Sequence, residues 1–206
     1  MEMSGQRWTP EFVTNPTNMP MGRLPVAKLG DRLVPDSNQI RALLEQQGAD
    51  FDAGLSASDK AQSHAIIRMV EESLRHGLVY DRWMDDRCWP HFCQLFFSEI
   101  PSVVRGFITK GIRKKIHAKL IGHGIAQFSE EERLTILKQD LDALEQTLGD
   151  KQFLFADHPT AADASAAPVL SMIASLPEAT KLRELVRNNP VLMGYVARSK
   201  QAIFPK

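Results

Sequence analysis

The sequence predicts an α+β fold, in which a short segment of strands and one helix precedes a domain made of helices only. Met21–Glu45 alternates short apolar runs with turn residues, whereas apolar residues recur every three to four positions through most of the chain after Ser56. Between these regions, Gly48–Ser56 has the glycine and aspartate content of a linker. We therefore expect two domains, residues 1–48 and residues 56–206.

Two short strands, Val26–Leu29 and Arg32–Val34, are predicted on either side of a turn at Gly30. Pro35 ends the second strand, because proline has no N–H to donate to a central ladder. Earlier in the chain, Glu11–Thr14 has the apolar and β-branched character of another strand. A hairpin this small is marginally stable by itself, so we expect it to need support from further structure.

A helix is predicted directly after the second strand, over Asn38–Gln47. Asp36 or Ser37 can cap it, because a short side-chain oxygen accepts hydrogen bonds from the unpaired N–H groups of the first turn. Judged from these residues alone, a helix cap explains both side chains without any ligand.

The remainder of the chain predicts a succession of helices with clear start and stop signals. Ser56 and Asp59 form a near capping box, and Ser129 opens a second one. The expected helices run from Ala57 to about Met84, over Trp89–Glu99, from Pro101 to about Ile121, from Ser129 to Leu148, from Thr160–Asp163 onward, and in two further segments marked by Pro177 and Pro190.

Composition excludes several functional classes. The 25 lysines and arginines balance the 25 aspartates and glutamates, which argues against bulk electrostatic binding to nucleic acid. No run approaches the roughly 18 apolar residues of a transmembrane segment. The first residues also lack the apolar core of a secretion signal. We expect a cytoplasmic protein.

Metal binding is not predicted from the cysteines and histidines. The two cysteines, Cys88 and Cys93, are separated by four residues, and the simplest interpretation is a pair of reduced thiols. A zinc site needs more cysteine or histidine at matched spacing, and the six histidines are scattered. No metal ligands are therefore assigned.

One predicted helix, residues 103–121, is strongly basic. An apolar residue recurs at every fourth position from Val104 to Leu120, which indicates a buried face. The helix contains no acid and six cations, which are Arg105, Lys110, Arg113, Lys114, Lys115 and Lys119. A solvated basic face is the simpler interpretation, and a docking surface for an anionic membrane or an acidic partner is the alternative.

Two motifs, in this order along the chain, resemble those of the glutathione transferase superfamily. Leu24-Pro25 with Asp36-Ser37 resembles the second half of its thioredoxin-like domain, and residues 155–163 (FADHPTAAD) resemble the helix-opening motif of its all-helical domain. Residues 78–85 (LVYDRWMD), with Trp89 and Pro90, further resemble the bacterial branch related to failed-axon-connections and metaxin proteins. The resemblance covers nearly the whole chain.

The resemblance implies a truncated thioredoxin-like domain followed by an all-α glutathione transferase C-terminal-type domain. It implies glutathione as cosubstrate, with the Leu24 backbone, ahead of a cis Pro25, pairing with the cysteinyl part. It also implies that Asp36 and Ser37 hold the γ-glutamyl group. This is physically coherent, because a helix N-terminus suits a carboxylate and an aspartate suits an ammonium group.

The same resemblance implies that the catalytic half is missing. In the family, the Tyr, Ser or Cys that activates the glutathione thiol lies between a first strand and a first helix, which this sequence is expected to lack. Ser4 and Thr9 lie near the start, but neither is in a strand-to-helix turn, so no catalytic residue is assigned. We expect weak or no transferase activity. The alternatives are a non-catalytic interaction or scaffold module of metaxin type, and an upstream segment that completes the domain.

Tyr80, Arg82 and Trp83 are candidates for contact with an electrophilic second substrate. They lie late in the first long helix, which borders the cleft between domains in the family that the chain resembles. Core packing of Trp83 and a surface ion pair of Arg82 are the alternatives.

The resemblance also favours a homodimer. The box at Thr160 and Asp163 is expected to be structural.

Overall fold

The computed structural model describes residues 1–13 and 16–204. The chain divides into two compact units, residues 1–53 and residues 54–206. The boundary falls inside the segment that the sequence marks as a linker. Of the helices in the described residues, none is both long and apolar enough to cross a membrane.

The first unit contains the predicted hairpin. Strand β1 spans Val26–Leu29 and strand β2 spans Arg32–Pro35; they pair in antiparallel fashion with Val26 opposite Pro35. Gly30 in the turn has φ 57°, a left-handed conformation that glycine adopts without a steric penalty. In the described residues before the hairpin there are three single-turn 3₁₀ helices, at Glu2–Ser4, Pro16–Asn18 and Pro20–Gly22.

The strand predicted over Glu11–Thr14 is wrong for the residues that can be judged. Residues 11–13 have no regular structure, and Thr14 lies outside the described residues. The sheet in the described part of the chain consists of β1 and β2. Phe12 is 92% exposed, so this segment lacks the packed face on which apolar strand residues depend.

Helix α1, Ser37–Gln46, follows the hairpin, and Asp36 is its N-cap. Ile40 and Leu44 lie one turn apart on the same face and are both buried, as is Val34 of β2. The helix therefore packs its apolar side on the hairpin, which fixes the helix N-terminus next to the end of β2.

The second unit is helical throughout the described residues. The helices are α2 (Ala57–Met69), α3 (Arg75–Met84), α4 (Trp89–Phe97), α5 (Ser102–His123), α6 (Glu130–Leu148), α7 (Ala161–Ala174), α8 (Lys181–Arg187) and α9 (Pro190–Ile203). A π-helical segment, Val70–Leu74, joins α2 to α3. The long helix predicted from Ala57 to about Met84 is thus confirmed, with a wider turn in its middle.

Helix α7 forms the centre of the helical core. Ala162, Ala166, Leu170 and Ile173 on this helix are completely buried. Its small residues allow close approach of neighbouring helices, and α2, α8 and α9 all pack against it. The sequence-predicted helical domain therefore has one continuous apolar centre.

The predicted box at the start of α7 is confirmed and proves to be larger than predicted. The Asp163 carboxylate accepts hydrogen bonds from the Thr160 N–H at 2.7 Å and the Leu154 N–H at 3.0 Å. It also accepts one from the Tyr195 hydroxyl at 2.8 Å, and burial together with this carboxylate raises the pKa of Tyr195. All of these groups are buried, so the aspartate joins three chain segments and its role is structural.

Two of the six cations on the basic helix α5 stabilise the ends of neighbouring helices. Arg105 donates to the carbonyl of Ser98, the C-cap of α4, at 2.9 Å, and Arg113 donates to the Trp83 carbonyl at 2.6 Å, near the end of α3. A cationic side chain at these carbonyls satisfies acceptors that the helix itself leaves free. The remaining four, Lys110, Lys114, Lys115 and Lys119, are exposed.

Candidate functional site

The four residues predicted to bind glutathione meet at one end of the hairpin. The Leu24–Pro25 peptide bond is cis, as the resemblance implied. The Asp36 N–H donates to the Pro25 carbonyl at 3.1 Å. Because Ser37 begins α1 directly after Asp36, the cis peptide and the helix N-terminus are neighbours, at the end of the hairpin opposite the turn at Gly30.

The main chain at Leu24 is open for pairing. Within the described residues its N–H and C=O make no hydrogen bond, and the residue is 46% exposed. Exposed backbone groups of this kind are obligatory hydrogen-bonding partners for water or for a ligand. An extended peptide can therefore add to the chain at this point through main-chain bonds.

Asp36 is held in an unusual backbone conformation beside this open segment. Its φ is 72° and its ψ is 135°, in a region that is unfavourable for a residue with a side chain. Its carboxylate caps α1 by accepting from the Asn38 N–H at 3.0 Å, and it lies 3.4 Å from the Arg23 guanidinium. Strained residues that the fold holds in place are common in binding sites.

Ser37 adds a hydroxyl at the positive end of the helix dipole. It is the first residue of the ten-residue helix α1 and is exposed. Its hydroxyl has no hydrogen-bond partner in the part of the chain that the structure describes. The hydroxyl and the helix N-terminus together favour a carboxylate, whereas the adjacent Asp36 favours an ammonium group. This arrangement suits a zwitterionic amino-acid group.

A separate cavity of about 240 Å³ lies in the helical unit, between α3, α6 and the start of α8. Its lining combines apolar residues with several charged ones. The lining residues are Tyr80, Asp81, Met84, Asp85, Glu130, Arg133, Leu134, Leu137, Thr180, Lys181 and Leu182. Lys181 and Glu130 form an ion pair of 2.6 Å. The cavity is thus a polar pocket rather than a gap in the core.

Asp81 is the buried acid of this cavity. The residue is only 9% exposed, and its Oδ2 lacks a hydrogen-bond partner among the described residues. Burial raises the pKa of Asp81 to about 6, although Thr180 and the charge of Arg133 act in the opposite direction. A carboxyl with this pKa changes its protonation near neutral pH and can exchange a proton with a bound group.

The three candidates for second-substrate contact do not share one surface. Tyr80 lines the cavity, where the Arg133 guanidinium lies 3.7 Å from its ring centroid. Arg82 and Trp83 pack on α4 instead, and the Trp83 ring lies 5.3 Å from that of Trp89. Successive helical positions point in different directions, which separates Tyr80 from the other two.

Asp81 was not singled out in the sequence, because an aspartate in a helical run looks like any exposed charge. What distinguishes it is burial by residues of α6 and of the start of α8, including Arg133 and Thr180. No local pattern carries that information. Only the helix packing identifies it as a titrating group.

Comparison with known proteins shows the family to which this chain belongs. Residues 1–88 match the family model of the glutathione S-transferase N-terminal domain, and residues 137–199 match that of the glutathione S-transferase C-terminal domain. The isoprene-epoxide–glutathione S-transferase of Rhodococcus sp. (strain AD45) is 31% identical over 204 residues, covering 94% of this chain and 83% of the relative. The chain therefore belongs to the glutathione S-transferase family, which confirms the resemblance seen in the sequence.

Two further relatives show which branches of the family are similar. Failed axon connections of Drosophila melanogaster is 32% identical over 198 residues, covering 89% of this chain and 47% of the relative. Metaxin-1 of Mus musculus is 27% identical over 205 residues, covering 94% of this chain and 64% of the relative. The chain thus spans less than two thirds of the length of these two relatives. No solved structure gives a significant match.

Proposed function

We propose that this protein binds glutathione at Leu24, Pro25, Asp36 and Ser37, and that this site serves conjugation of glutathione to an electrophilic small molecule. The observation that carries the proposal is the open Leu24 backbone beside the N-terminus of α1. Main-chain pairing, a hydroxyl at a helix N-terminus and a carboxylate are the three features needed to recognise a γ-glutamyl peptide.

Each part of glutathione has a counterpart in this arrangement. The N–H and C=O of Leu24 pair with the main chain of the cysteinyl residue. The Ser37 hydroxyl and the free N–H groups of the first turn of α1 hold the γ-glutamyl carboxylate. Asp36 accepts hydrogen bonds from the ammonium group, and the exposed Arg23 side chain beside it is free to swing aside.

The transfer step requires the glutathione thiolate, because the thiol itself is a weak nucleophile. We assign no residue of this chain to thiol activation, so the chain by itself is expected to transfer slowly or not at all. An epoxide is the electrophile to test first, since one relative is named for isoprene epoxide. The sulfur would bond to a ring carbon while that carbon–oxygen bond breaks, and the released alkoxide would take a proton from water.

Further parts of this proposal concern the second substrate and the assembly. Tyr80 is the candidate contact for the electrophile because it lines an open cavity. The side chains of Arg82 and Trp83 pack against α4 instead. A homodimer in the cytoplasm is the expected form. Light scattering of the purified chain at several concentrations tests the dimer, and a mass of one chain throughout would contradict it.

Titration calorimetry with reduced glutathione tests the binding site. Replacing Ser37 by alanine removes a hydrogen bond to a charged group, so the affinity should fall about tenfold or more. Ser102→Ala is the matched control, because Ser102 is likewise an exposed serine at the first position of a helix. It should leave the affinity unchanged. Absence of binding to the wild-type chain at millimolar glutathione would refute the proposal.

Conjugation is measured separately, so that the hypothesis of glutathione binding and the hypothesis of glutathione transfer are tested independently. The adduct of glutathione with a small epoxide, or with a chlorinated nitroarene, is followed by mass spectrometry or absorbance. We expect a rate near that of the uncatalysed reaction. Turnover at rates typical of transferases would show that the chain activates the thiol by itself.

A second candidate function is an interaction module that does no chemistry. Val103 and Phe107 are 93% and 87% exposed, one turn apart on α5. Lys110 and Lys114 continue the same outward stripe. Exposed apolar patches with a polar margin often mark contact surfaces. Capture of a partner that Val103→Ser and Phe107→Ser abolish, in a chain without glutathione affinity, would favour this function.

A further inference from the structure

A cluster of two histidines and one glutamate lies where the π-helical segment meets the end of α5. Glu72 belongs to Val70–Leu74, His76 to α3, and His123 is the last residue of α5. One ligand atom from each of the three lies within 4.8 Å of the others. The two imidazole rings are stacked, with centroids 3.8 Å apart and planes inclined by 12°.

A hydrogen bond to the main chain fixes the tautomer of the His76 ring. Its Nδ1 lies 2.8 Å from the main-chain carbonyl oxygen of Glu72. A carbonyl oxygen can only accept, so Nδ1 carries the proton and Nε2 keeps the lone pair. Metal-binding histidines usually donate their second ring N–H to a carbonyl or carboxylate in this way, which orients the ring and fixes the tautomer.

The local electrostatics permit a cation at this point. His123 lies in the last turn of α5, where the helix dipole is negative. Arg68 is paired with both Glu71 and Glu72, so its charge is already balanced.

We propose that Glu72, His76 and His123 form a binding site for a divalent transition-metal ion, with Zn²⁺ as the best match. Imidazole nitrogen with one carboxylate favours zinc over calcium or magnesium, which prefer all-oxygen ligands. Zinc–nitrogen bonds of about 2.0–2.1 Å in a tetrahedron put the ligand atoms about 3.3 Å apart. Because the two rings are stacked, a shared ion requires the exposed His123 ring to turn out of the stack until its lone pair points at the ion.

The proposed site leaves one position open. Three protein ligands with a water in the fourth place are typical of zinc sites that bind or activate small molecules. A small cavity of about 80 Å³ also borders His123 and is lined by Ile125, Phe128 and Ile136 among others. The metal site therefore differs in place and in chemistry from the glutathione site. The metal proposal does not depend on the glutathione proposal.

Calorimetric titration of Zn²⁺ into the untagged, chelator-treated chain tests the site, with Co²⁺ absorbance as a second readout. One ion per chain and the intense visible bands of four-coordinate Co²⁺ are expected. His76→Ala and His123→Ala should each weaken zinc binding about tenfold or more, since even outer-shell changes have effects of that size. Circular dichroism checks that the variants remain folded.

Two matched controls make the result specific. Glu72→Gln should weaken binding, whereas Glu71→Gln should not, although both acids pair with the same Arg68. His117→Ala, another exposed histidine on α5, should also leave binding unchanged. Zinc binding that persists in a His76→Ala, His123→Ala double variant, or no binding to the wild-type chain at micromolar zinc, would overturn the proposal.

Discussion

The main-chain N–H of Asp36 donates a hydrogen bond over 3.1 Å to the carbonyl of Pro25, which closes the hairpin at the end away from Gly30. The same aspartate caps α1 through its carboxylate at 3.0 Å from the Asn38 N–H. One residue thus connects the cis peptide, the strand end and the helix. Its structural role and its proposed role in ligand binding can be separated experimentally.

Replacing Asp36 by glycine or by alanine separates these two roles. Glycine tolerates φ 72°, and at an N-cap it costs only a few tenths of a kcal/mol, so Asp36→Gly should not destabilise α1. Asp36→Ala loses the cap and keeps the strain, so it should destabilise the helix by about 1 kcal/mol. Hydrogen exchange of the α1 amides measures this difference.

Both Asp36 variants should lose glutathione affinity about tenfold or more, because both lack the carboxylate that meets the ammonium group. The comparison is informative because stability and binding are expected to diverge in the glycine variant. Calorimetry that finds wild-type affinity in Asp36→Gly would show that the carboxylate serves only as a helix cap.

The buried acid of the helical cavity predicts a pH-dependent stability. Burial raises the pKa of Asp81 from 3.8 to about 6, so the folded state binds this proton more tightly than the unfolded chain does. The stabilisation is fully present below about pH 4 and is lost as the pH rises through 6. Asp81→Asn removes the ionisation and should be more stable than wild type by about 3 kcal/mol above pH 7.

Urea unfolding of both chains between pH 4.5 and 8 measures this difference. The two stability curves should diverge as the pH increases. Asp157→Asn serves as the control, because this exposed aspartate lies outside the cavity. Parallel curves for Asp81→Asn and wild type would show that Asp81 reaches solvent or a counter-charge in solution.

Two glycine-to-alanine changes in helices should have opposite effects. A Cβ at Gly77 in α3 would lie 2.6 Å from Cδ1 of the almost fully buried Leu137, so the Leu137 side chain must shift. Overpacking costs about 1–3 kcal/mol, and over most of that range the cost exceeds the helix-propensity gain of about 1 kcal/mol. Gly111 in α5 has nothing within 4 Å of the added atom, so alanine there should stabilise.

Thermal unfolding measures both glycine changes in one experiment. A change of 1 kcal/mol shifts the Tm of a chain of this size by about 2–4 °C. Gly77→Ala should therefore lower the Tm by a few degrees, and Gly111→Ala should raise it by up to about 4 °C. An increase for both variants would mean that Leu137 repacks without loss.

The parts of the structure predicted from the sequence are those that depend on neighbours along the chain. The boxes at Ser56 and Ser129 and the turn at Gly30 formed as expected, because their hydrogen bonds join residues at most a few positions apart. The strand predicted over Glu11–Thr14 was wrong for its described residues, because a strand needs a pairing partner, which the residues of the strand itself do not specify. The candidate glutathione residues were found by family resemblance, and the open Leu24 backbone became visible only in the fold.

By itself, the sequence determined the family, the order of a hairpin, a helix and a helical domain, and the caps that begin several helices. Tertiary structure alone decided that Asp81 is buried, that Tyr80 and Trp83 face different neighbours, and that His123 meets His76 and Glu72. The physical reason is the distance along the chain over which each kind of interaction acts. Capping and periodicity act within one or two helical turns, whereas burial and side-chain meetings depend on how whole helices pack against one another.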